Sequence, residues 1–209
     1  MYMPPHFRSH EPAHARRLMR EHPFASLISV DDAGLPCVTH LPLHLQEEGE
    51  QAMLLGHVAR PNPHWRYLQA RPQAVVTFMG PHAFQSPRIY ADLARVPSWN
   101  YLAVHCTVQA TLIEDAAAKD ALLKKLIGDH EPPYAEQWRR LGEEFAHKML
   151  AGIVAFELRV TDMQCKIKLN QHRPESHARL HALYAAGSPD EQALAAWMER
   201  LGMLAPSSS

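Results

Sequence analysis

Cysteine is scarce in this sequence, and the three that occur, Cys37, Cys106 and Cys165, lie far apart. They show no Cys-x-x-Cys spacing, and an odd number of scattered thiols does not suit a disulfide framework. We therefore expect a protein of a reducing compartment, and we predict that it is cytoplasmic.

Long apolar runs and a strong net charge are also missing. No segment approaches the ~20 apolar residues of a membrane-spanning helix. Residues 1–10 are polar and proline-rich, so we expect no signal peptide there. The formal net charge is −1, which gives little support to non-specific nucleic-acid binding because such binding depends on neutralising phosphates. DNA stays an open alternative as a partner, without support from charge or motif.

Motifs of protein-based catalysis are absent. The sequence has no Gly-x-Ser-x-Gly motif and no P-loop, and no carboxylate pair stands out. Fifteen histidines are many, but none falls in a defined metal-binding pattern, so we predict no metal site. We name no catalytic residue, and any chemistry would belong to a cofactor.

The first third of the chain has the pattern of a β-meander. Apolar and β-branched residues predict strands at Phe24–Val30, Leu35–Leu45 and Ala52–Val58. Asp31–Gly34 has the composition of a hairpin turn, in which Gly34 can take a positive φ. A helix is expected before the meander, from Glu11 to about His22, where a proline follows.

The rest of the chain mixes strands with helices. We predict that Gly80–His82 breaks a strand, and that Asp115 caps a helix that Gly128 ends. A polar segment, Thr161–Pro174, is expected after the last strand. The other strands predicted here are Gln73–Met79, Trp99–Ile113 and Gly152–Val160, and the later helices are Ala135–Leu141, Glu143–Leu150, Glu175–Ala185 and Asp190–Leu201.

Strands joined by turns, with helices outside them, predict a mainly β or α+β fold. We expect a barrel of six or seven mostly antiparallel strands, with peripheral helices and a C-terminal helical extension. The predicted domains are 1–174 for the barrel, 175–204 for the extension and 205–209 for a disordered tail.

Gly56–Trp65, which reads G-H-V-A-R-P-N-P-H-W, unites an imidazole, a guanidinium, a carboxamide and an indole. Its prolines end a strand and precede a predicted helix, which is a suitable place to bind an anion. The same residues also suit a plain strand-to-helix corner, with Asn62 as the cap and Arg60 in solvent.

Three more polar clusters stand at strand ends: Thr39–Pro42, Trp99–Tyr101 with His105, and Lys166–Pro174. Together the clusters offer aromatic planes, amides and positive charge, which suit a ligand with a flat ring and a phosphate. Each has a structural alternative: His40 and Trp99 would be core residues, and the lysines would be a solvated face.

These motifs resemble those of the PaiB-type FMN-binding negative transcriptional regulators. The matching pieces keep the order of that family and cover nearly the whole chain to Pro174. They are M-Y-x-P-x-H-F at Met1–Phe7, H-P-F at His22–Phe24, H-L-P at His40–Pro42, G-H-x-A-R-x-N-P-x-W at Gly56–Trp65, F-x-G-P-H-A at Phe78–Ala83, P-x-W-N-Y-x-x-V-H at Pro97–His105 and K-x-K-L-x-Q-x-R-P at Lys166–Pro174.

The resemblance implies the split β-barrel of the pyridoxamine-phosphate-oxidase-like flavoproteins, and a homodimer that holds FMN between its subunits. Arg60 and Lys168 are expected to meet the phosphate. The other expected FMN contacts are His40, Leu41, Pro42, His57, Asn62, Trp65, Trp99 and Asn100. The implied function is that of a dimeric regulatory protein, a repressor. Alternatives are a flavin oxidoreductase or haem-handling protein on the same barrel, with His57 or His105 as ligand or acid, and a flavin-free interaction protein.

Overall fold

The computed structural model describes residues 1–49, 51–92 and 94–204, and the predicted tail lies outside them. Within this part of the chain, eight strands form one sheet in the hydrogen-bonding order β3-β2-β6-β7-β8-β5-β4, with β1 beside β8. The strands are β1 (Arg8–Ser9), β2 (Phe24–Val30), β3 (Pro36–Pro42), β4 (His44–Glu48), β5 (Gln51–Ala59), β6 (Gln73–Gln85), β7 (Ser98–Ile113) and β8 (Ile153–Lys168).

Seven α-helices accompany the sheet in the described residues. They are α1 (Pro12–Glu21), α2 (His64–Ala70), α3 (Ala116–His130), α4 (Tyr134–Arg140), α5 (Glu143–Ala151), α6 (His177–Ala185) and α7 (Pro189–Arg200). Among them, none has both the length and the apolar character needed to cross a membrane.

By its internal contacts the chain divides into two compact units. Unit one comprises Met1–Leu18, Met79–Val104 and Gln164–Ser209. Unit two comprises Met19–Phe78 and His105–Met163. The domain division expected from the sequence stays a prediction.

Unit two contains the predicted meander, with one strand divided. β2 pairs antiparallel with β3, and Gly34 in their turn has φ +80°, as predicted. The expected strand Leu35–Leu45 is wrong as a single element, because pairing with β2 ends at Pro42 and β4 then pairs with β5. The Leu43 N–H between the two strands donates to the Pro23 carbonyl at 3.0 Å.

Helix α3 covers one face of β5 in unit two. Its Leu122 and Leu126 are buried against Leu55 of β5 and Ala155 of β8. The predicted cap is confirmed, since the Asp115 carboxylate accepts the Ala118 N–H at 2.7 Å. The predicted end at Gly128 is wrong: the helix continues to His130, and no positive φ is needed at Gly128.

In unit one the predicted break at Gly80–His82 is wrong, because β6 continues through it to Gln85. Gly80 serves close packing instead of a turn. A Cβ added there would lie 2.5 Å from Leu18 Cδ1 and 3.3 Å from Leu102 Cβ.

Strand β8 also runs further than predicted. The predicted strand ends at Val160, yet the first eight residues of the polar segment Thr161–Pro174 belong to β8. In unit one this part of β8 gains a partner in β1, with Lys166 opposite Arg8 and Cys165 opposite Ser9. The two C-terminal helices follow, and α7 begins with a capping box between Ser188 and Glu191.

Candidate functional site

The turn after β5 in unit two is tied to β3 through Asn62. The Asn62 Oδ1 accepts the His64 N–H at 3.0 Å, and its Nδ2 donates to Thr39 Oγ1 at 3.2 Å. Its own N–H donates to the Ala59 carbonyl at 2.9 Å. Asn62 therefore caps α2, and it also brings the first and second predicted clusters together in space.

His64 completes this connection, although it is not among the site residues predicted from the sequence. The ring is fully buried, with Nε2 2.8 Å from Ser29 Oγ and Nδ1 2.8 Å from Thr39 Oγ1. Burial lowers the pKa of His64, so the imidazole is neutral near pH 7. The available signal was a histidine two residues after Asn62, but its partners lie on β2 and β3, distant in sequence.

Arg60 lies at the surface of the same turn. Its Nε donates to the Ala151 carbonyl at 2.7 Å and its Nη2 to the Ile153 carbonyl at 3.2 Å. The Trp65 indole N–H donates to the Arg60 carbonyl at 3.1 Å, so the indole packs back over the turn. Neutral carbonyls fix the guanidinium without cancelling its charge.

The remaining predicted residues of unit two divide into exposed and buried. His40 is exposed, with Nδ1 3.0 Å from Ser26 Oγ and its ring stacked on Phe24, so the alternative of a core histidine is wrong. Leu41 is buried at 4% exposure, and Pro42 is half-buried. Burial lowers the pKa of His57, and its Nδ1 has no hydrogen-bond partner among the described residues.

Asn100 and Lys168 meet in unit one. Both line a cleft of about 310 Å³, which unites two more of the predicted clusters. The other lining residues are Phe7, Gln85, Tyr90, Ala94, Arg95, Val96, Ser98, Asn170, His172 and Arg173.

Both residues are held firmly in this cleft. Asn100 is fully buried, and its Nδ2 donates to Tyr184 Oη at 2.9 Å. Lys168 Nζ donates to Ser98 Oγ at 2.7 Å and lies 5.9 Å from the centre of the Tyr101 ring. Burial, and then the charge of Lys166, lowers the pKa of Lys168, while Tyr101 opposes the shift.

Trp99 does not share that cleft. Neighbouring residues of a strand point to opposite faces, and Trp99 lines a separate groove of unit one with His82 and Phe84. Its side chain is 53% exposed, so the core alternative for this residue is wrong. The Phe84 ring meets the indole edge to face at 6.1 Å.

Residues 1–162 match the model of the family described as "Putative FMN-binding domain". The chain belongs to this family. The Protease synthase and sporulation protein PAI 2 of Bacillus subtilis (strain 168) is 33% identical to this chain over 179 residues, which cover 84% of each chain. The predicted PaiB-type membership and the predicted cofactor, FMN, are therefore confirmed.

Solved structures agree with this family at the level of the fold. Flavocytochrome Anf3 of Azotobacter vinelandii has a TM-score of 0.61 and 18% identity, over 78% of this chain and 69% of that chain. The FAD and Heme binding protein of Mycobacterium smegmatis has a TM-score of 0.59 and 19% identity, over 77% and 73%. The predicted fold class, an antiparallel flavin-binding split barrel with peripheral helices, is confirmed, but the described residues form eight strands instead of the predicted six or seven.

Proposed function

We propose that this protein is a dimeric, PaiB-like regulator, and that the turn Arg60–Trp65 of unit two binds the FMN phosphate. The main support for the phosphate site is that the Arg60 guanidinium is exposed and bonded only to neutral carbonyls among the described residues. These are the carbonyls of Ala151 and Ile153, and no ion pair joins the guanidinium to a carboxylate among the described residues. An oriented cation with an unneutralised charge favours a phosphate.

The other predicted residues of unit two have roles that their contacts support. His40 is exposed and fixed by Ser26, so it can offer a ring nitrogen to the flavin. Asn62 uses Oδ1 within the turn and Nδ2 on Thr39 of β3, which supports a positioning role. Leu41, Pro42, His57 and Trp65 would shape the surroundings. The contact of Trp99 with FMN stays a prediction.

A second copy of this chain is the partner we propose. The outer side of β2, β3 and β6 in unit two carries exposed apolar side chains on paired positions. Val38 of β3 is 49% exposed and Val75 of β6 is 37% exposed, and both pair with Ile28 of β2. Phe24 of β2 is 67% exposed. Contiguous exposed apolar residues mark interaction surfaces. His40, a proposed flavin contact, stacks on Phe24 in this face, so one interface would both form the dimer and border the FMN.

The phosphate assignment is tested by flavin fluorescence during titration with the wild type and variants. We expect Arg60→Ala to weaken FMN binding at least about tenfold, as loss of a charge-assisted contact implies. The FMN affinity of Arg60→Lys should lie between those of the wild type and Arg60→Ala. Lysine keeps the positive charge but lacks the paired N–H donors of the guanidinium. Arg179→Ala removes an exposed arginine of α6 and should bind FMN as the wild type does.

Riboflavin is the control ligand for this test, because it is FMN without the phosphate. Wild type and Arg60→Ala should bind riboflavin alike if Arg60 meets the phosphate. Equal FMN affinity in wild type and Arg60→Ala would contradict the assignment.

The regulatory role is supported by the PaiB-type membership and is tested separately. Cells that produce Arg60→Ala in place of the wild type should show a common set of raised transcripts, as expected for a repressor that needs FMN. Unchanged transcripts, together with lost FMN binding, would count against a flavin-dependent regulator.

A second function, haem handling or flavin oxidoreduction, is favoured by one observation. The Nδ1 of His57 is buried without a hydrogen-bond partner in the described chain, and burial lowers its pKa, so it could ligate iron. A Soret band that appears on haem addition and disappears in His57→Ala would support this function. Turnover of reduced nicotinamide by the FMN-loaded chain would support the oxidoreductase.

A further inference from the structure

The cleft of unit one concentrates positive charge. Arg95, Lys168 and Arg173 line it, and its described lining residues include no carboxylate. Asp92 pairs with Arg95 Nη2 at 2.9 Å, but it is not a lining residue. Neighbouring cations in a partly desolvated space repel one another, and a bound anion relieves that repulsion.

Two polar atoms in this cleft lack partners, and they are of opposite kinds. The Asn100 Oδ1 is a buried acceptor and the Arg95 Nε a buried donor, and neither has a hydrogen-bond partner among the described residues. Asn100 is fully buried, and its Nδ2 is already used by Tyr184. Buried polar atoms are costly to leave unpaired. The matching ligand therefore carries negative charge, acceptor oxygens and at least one O–H or N–H donor.

The wall of the cleft is rigid. Gln85 Nε2 donates to Tyr90 Oη at 2.7 Å, Tyr90 Oη donates to Asn170 Oδ1 at 3.1 Å, and Asn170 Nδ2 donates to Ser176 Oγ at 2.8 Å. Asn170 has φ +64°, a left-handed conformation that these bonds hold in place. A pre-organised wall lowers the cost of ordering a ligand.

We propose that this cleft is a binding site for a protonated phosphate group, as free phosphate or as the monoester of a small metabolite, distinct from the FMN phosphate site. Inorganic phosphate has oxygens for Arg95 and Lys168 and keeps at least one proton near neutral pH that it can donate to Asn100 Oδ1. A monoester, whose second pKa is about 6, would donate that proton only as its monoanion. Sulfate has the same shape but no proton to donate. Lys168 and Asn100 then serve this ligand instead of the FMN. Every contact cited for this cleft lies within unit one, so the site does not depend on the FMN proposal.

Isothermal titration of the full chain, with and without FMN, tests this site. We expect inorganic phosphate to bind both forms without releasing flavin, and sulfate to bind at least about tenfold more weakly. Arg95→Ala should lose about tenfold or more in phosphate affinity. Arg88→Ala, an exposed arginine outside the cleft, should bind phosphate as the wild type does. Ribose 5-phosphate distinguishes the sources: tighter binding than phosphate indicates a monoester, and weaker binding indicates the free ion.

Several results would overturn the proposal. Equal affinities for phosphate and sulfate would remove the role of Asn100 Oδ1. Undiminished phosphate binding by Arg95→Ala would place the ion elsewhere. Release of FMN by added phosphate would mean that the cleft holds the FMN phosphate, whereas failure of the FMN proposal alone would leave phosphate binding to the FMN-free chain intact.

Discussion

At the scale of single residues, His64 belongs to the candidate FMN-binding turn and also affects the stability of the fold. It bridges Ser29 and Thr39, and burial lowers its pKa from 6.5. The unfolded chain therefore binds a proton at His64 more readily than the folded chain does. The free energy of unfolding should be fully maintained above the ordinary pKa and should fall as the pH drops below it.

His64→Gln isolates this contribution. The variant cannot titrate at this position, so its free energy of unfolding should depend less on pH below 6.5 than that of the wild type. The difference in slope should approach about 1.4 kcal/mol per pH unit at most. Burial also lowers the pKa of His57, so part of the slope will remain. Urea denaturation across this pH range measures the difference in slope, and His10→Gln, at an exposed position, is the control. Parallel pH curves for wild type and His64→Gln would contradict this role.

The residue types of the candidate site could be predicted from the sequence, but their connections could not. Arg60, Asn62 and His40 stand out because cations, amides and imidazoles cluster at strand ends. The choice between cap and ligand for Asn62 depends on Thr39, which lies on another strand. His64 was missed for the same reason, since a lone histidine does not reveal its two hydroxyl partners.

At the scale of elements, two glycines give opposite predictions. A Cβ at Gly80 would lie 2.5 Å from Leu18 Cδ1 and 3.3 Å from Leu102 Cβ, whereas nothing lies within 4 Å of a Cβ at Gly128 in α3. Gly80→Ala should therefore destabilise the protein by about 1–3 kcal/mol. Gly128→Ala should stabilise it by about 0.5–1 kcal/mol, because alanine suits a helix better than glycine. Urea denaturation measures both changes, and a loss of stability in Gly128→Ala would refute the continuous helix.

The predicted elements were correct in type, and their errors came from tertiary packing. Gly-Pro-His was interpreted as a strand break because glycine and proline usually interrupt sheets. In the structure Gly80 permits close approach to Leu18 and Leu102, so β6 continues. The strand predicted at Gly152–Val160 is too short because the residues after it are polar, and their partner β1 has only two residues and no strand pattern.

At the scale of the whole molecule, the homodimer depends on the apolar face of β2, β3 and β6 in unit two. Val38→Glu would place a charge in that face, and burying an unpaired charge is costly. We expect this variant to be monomeric by light scattering and to bind FMN more weakly. Leu183→Glu changes an apolar residue of α6 that is 45% exposed, close to the 49% of Val38, and should leave the dimer intact. A dimeric Val38→Glu variant would place the interface elsewhere.

The family and fold of the whole chain were predictable because its motifs are long and keep their order to Pro174, and a match over residues 1–162 agrees with them. What the motifs could not supply is the grouping of the side chains. Arg60 lies in a turn of unit two and Lys168 in a cleft of unit one, and their contact with one phosphate stays a prediction. The positive charge and the unpaired polar atoms of the cleft support the proposed second site.

The central claim is that paired chains hold FMN, and sedimentation velocity followed at the visible absorbance of flavin tests it most directly. With FMN added, the account predicts that flavin absorbance moves with a species of twice the chain mass of 23.6 kDa. In Arg60→Ala the same species should sediment with little flavin. Flavin that stays with the unbound fraction, or that moves with a single chain in the wild type, would contradict the account.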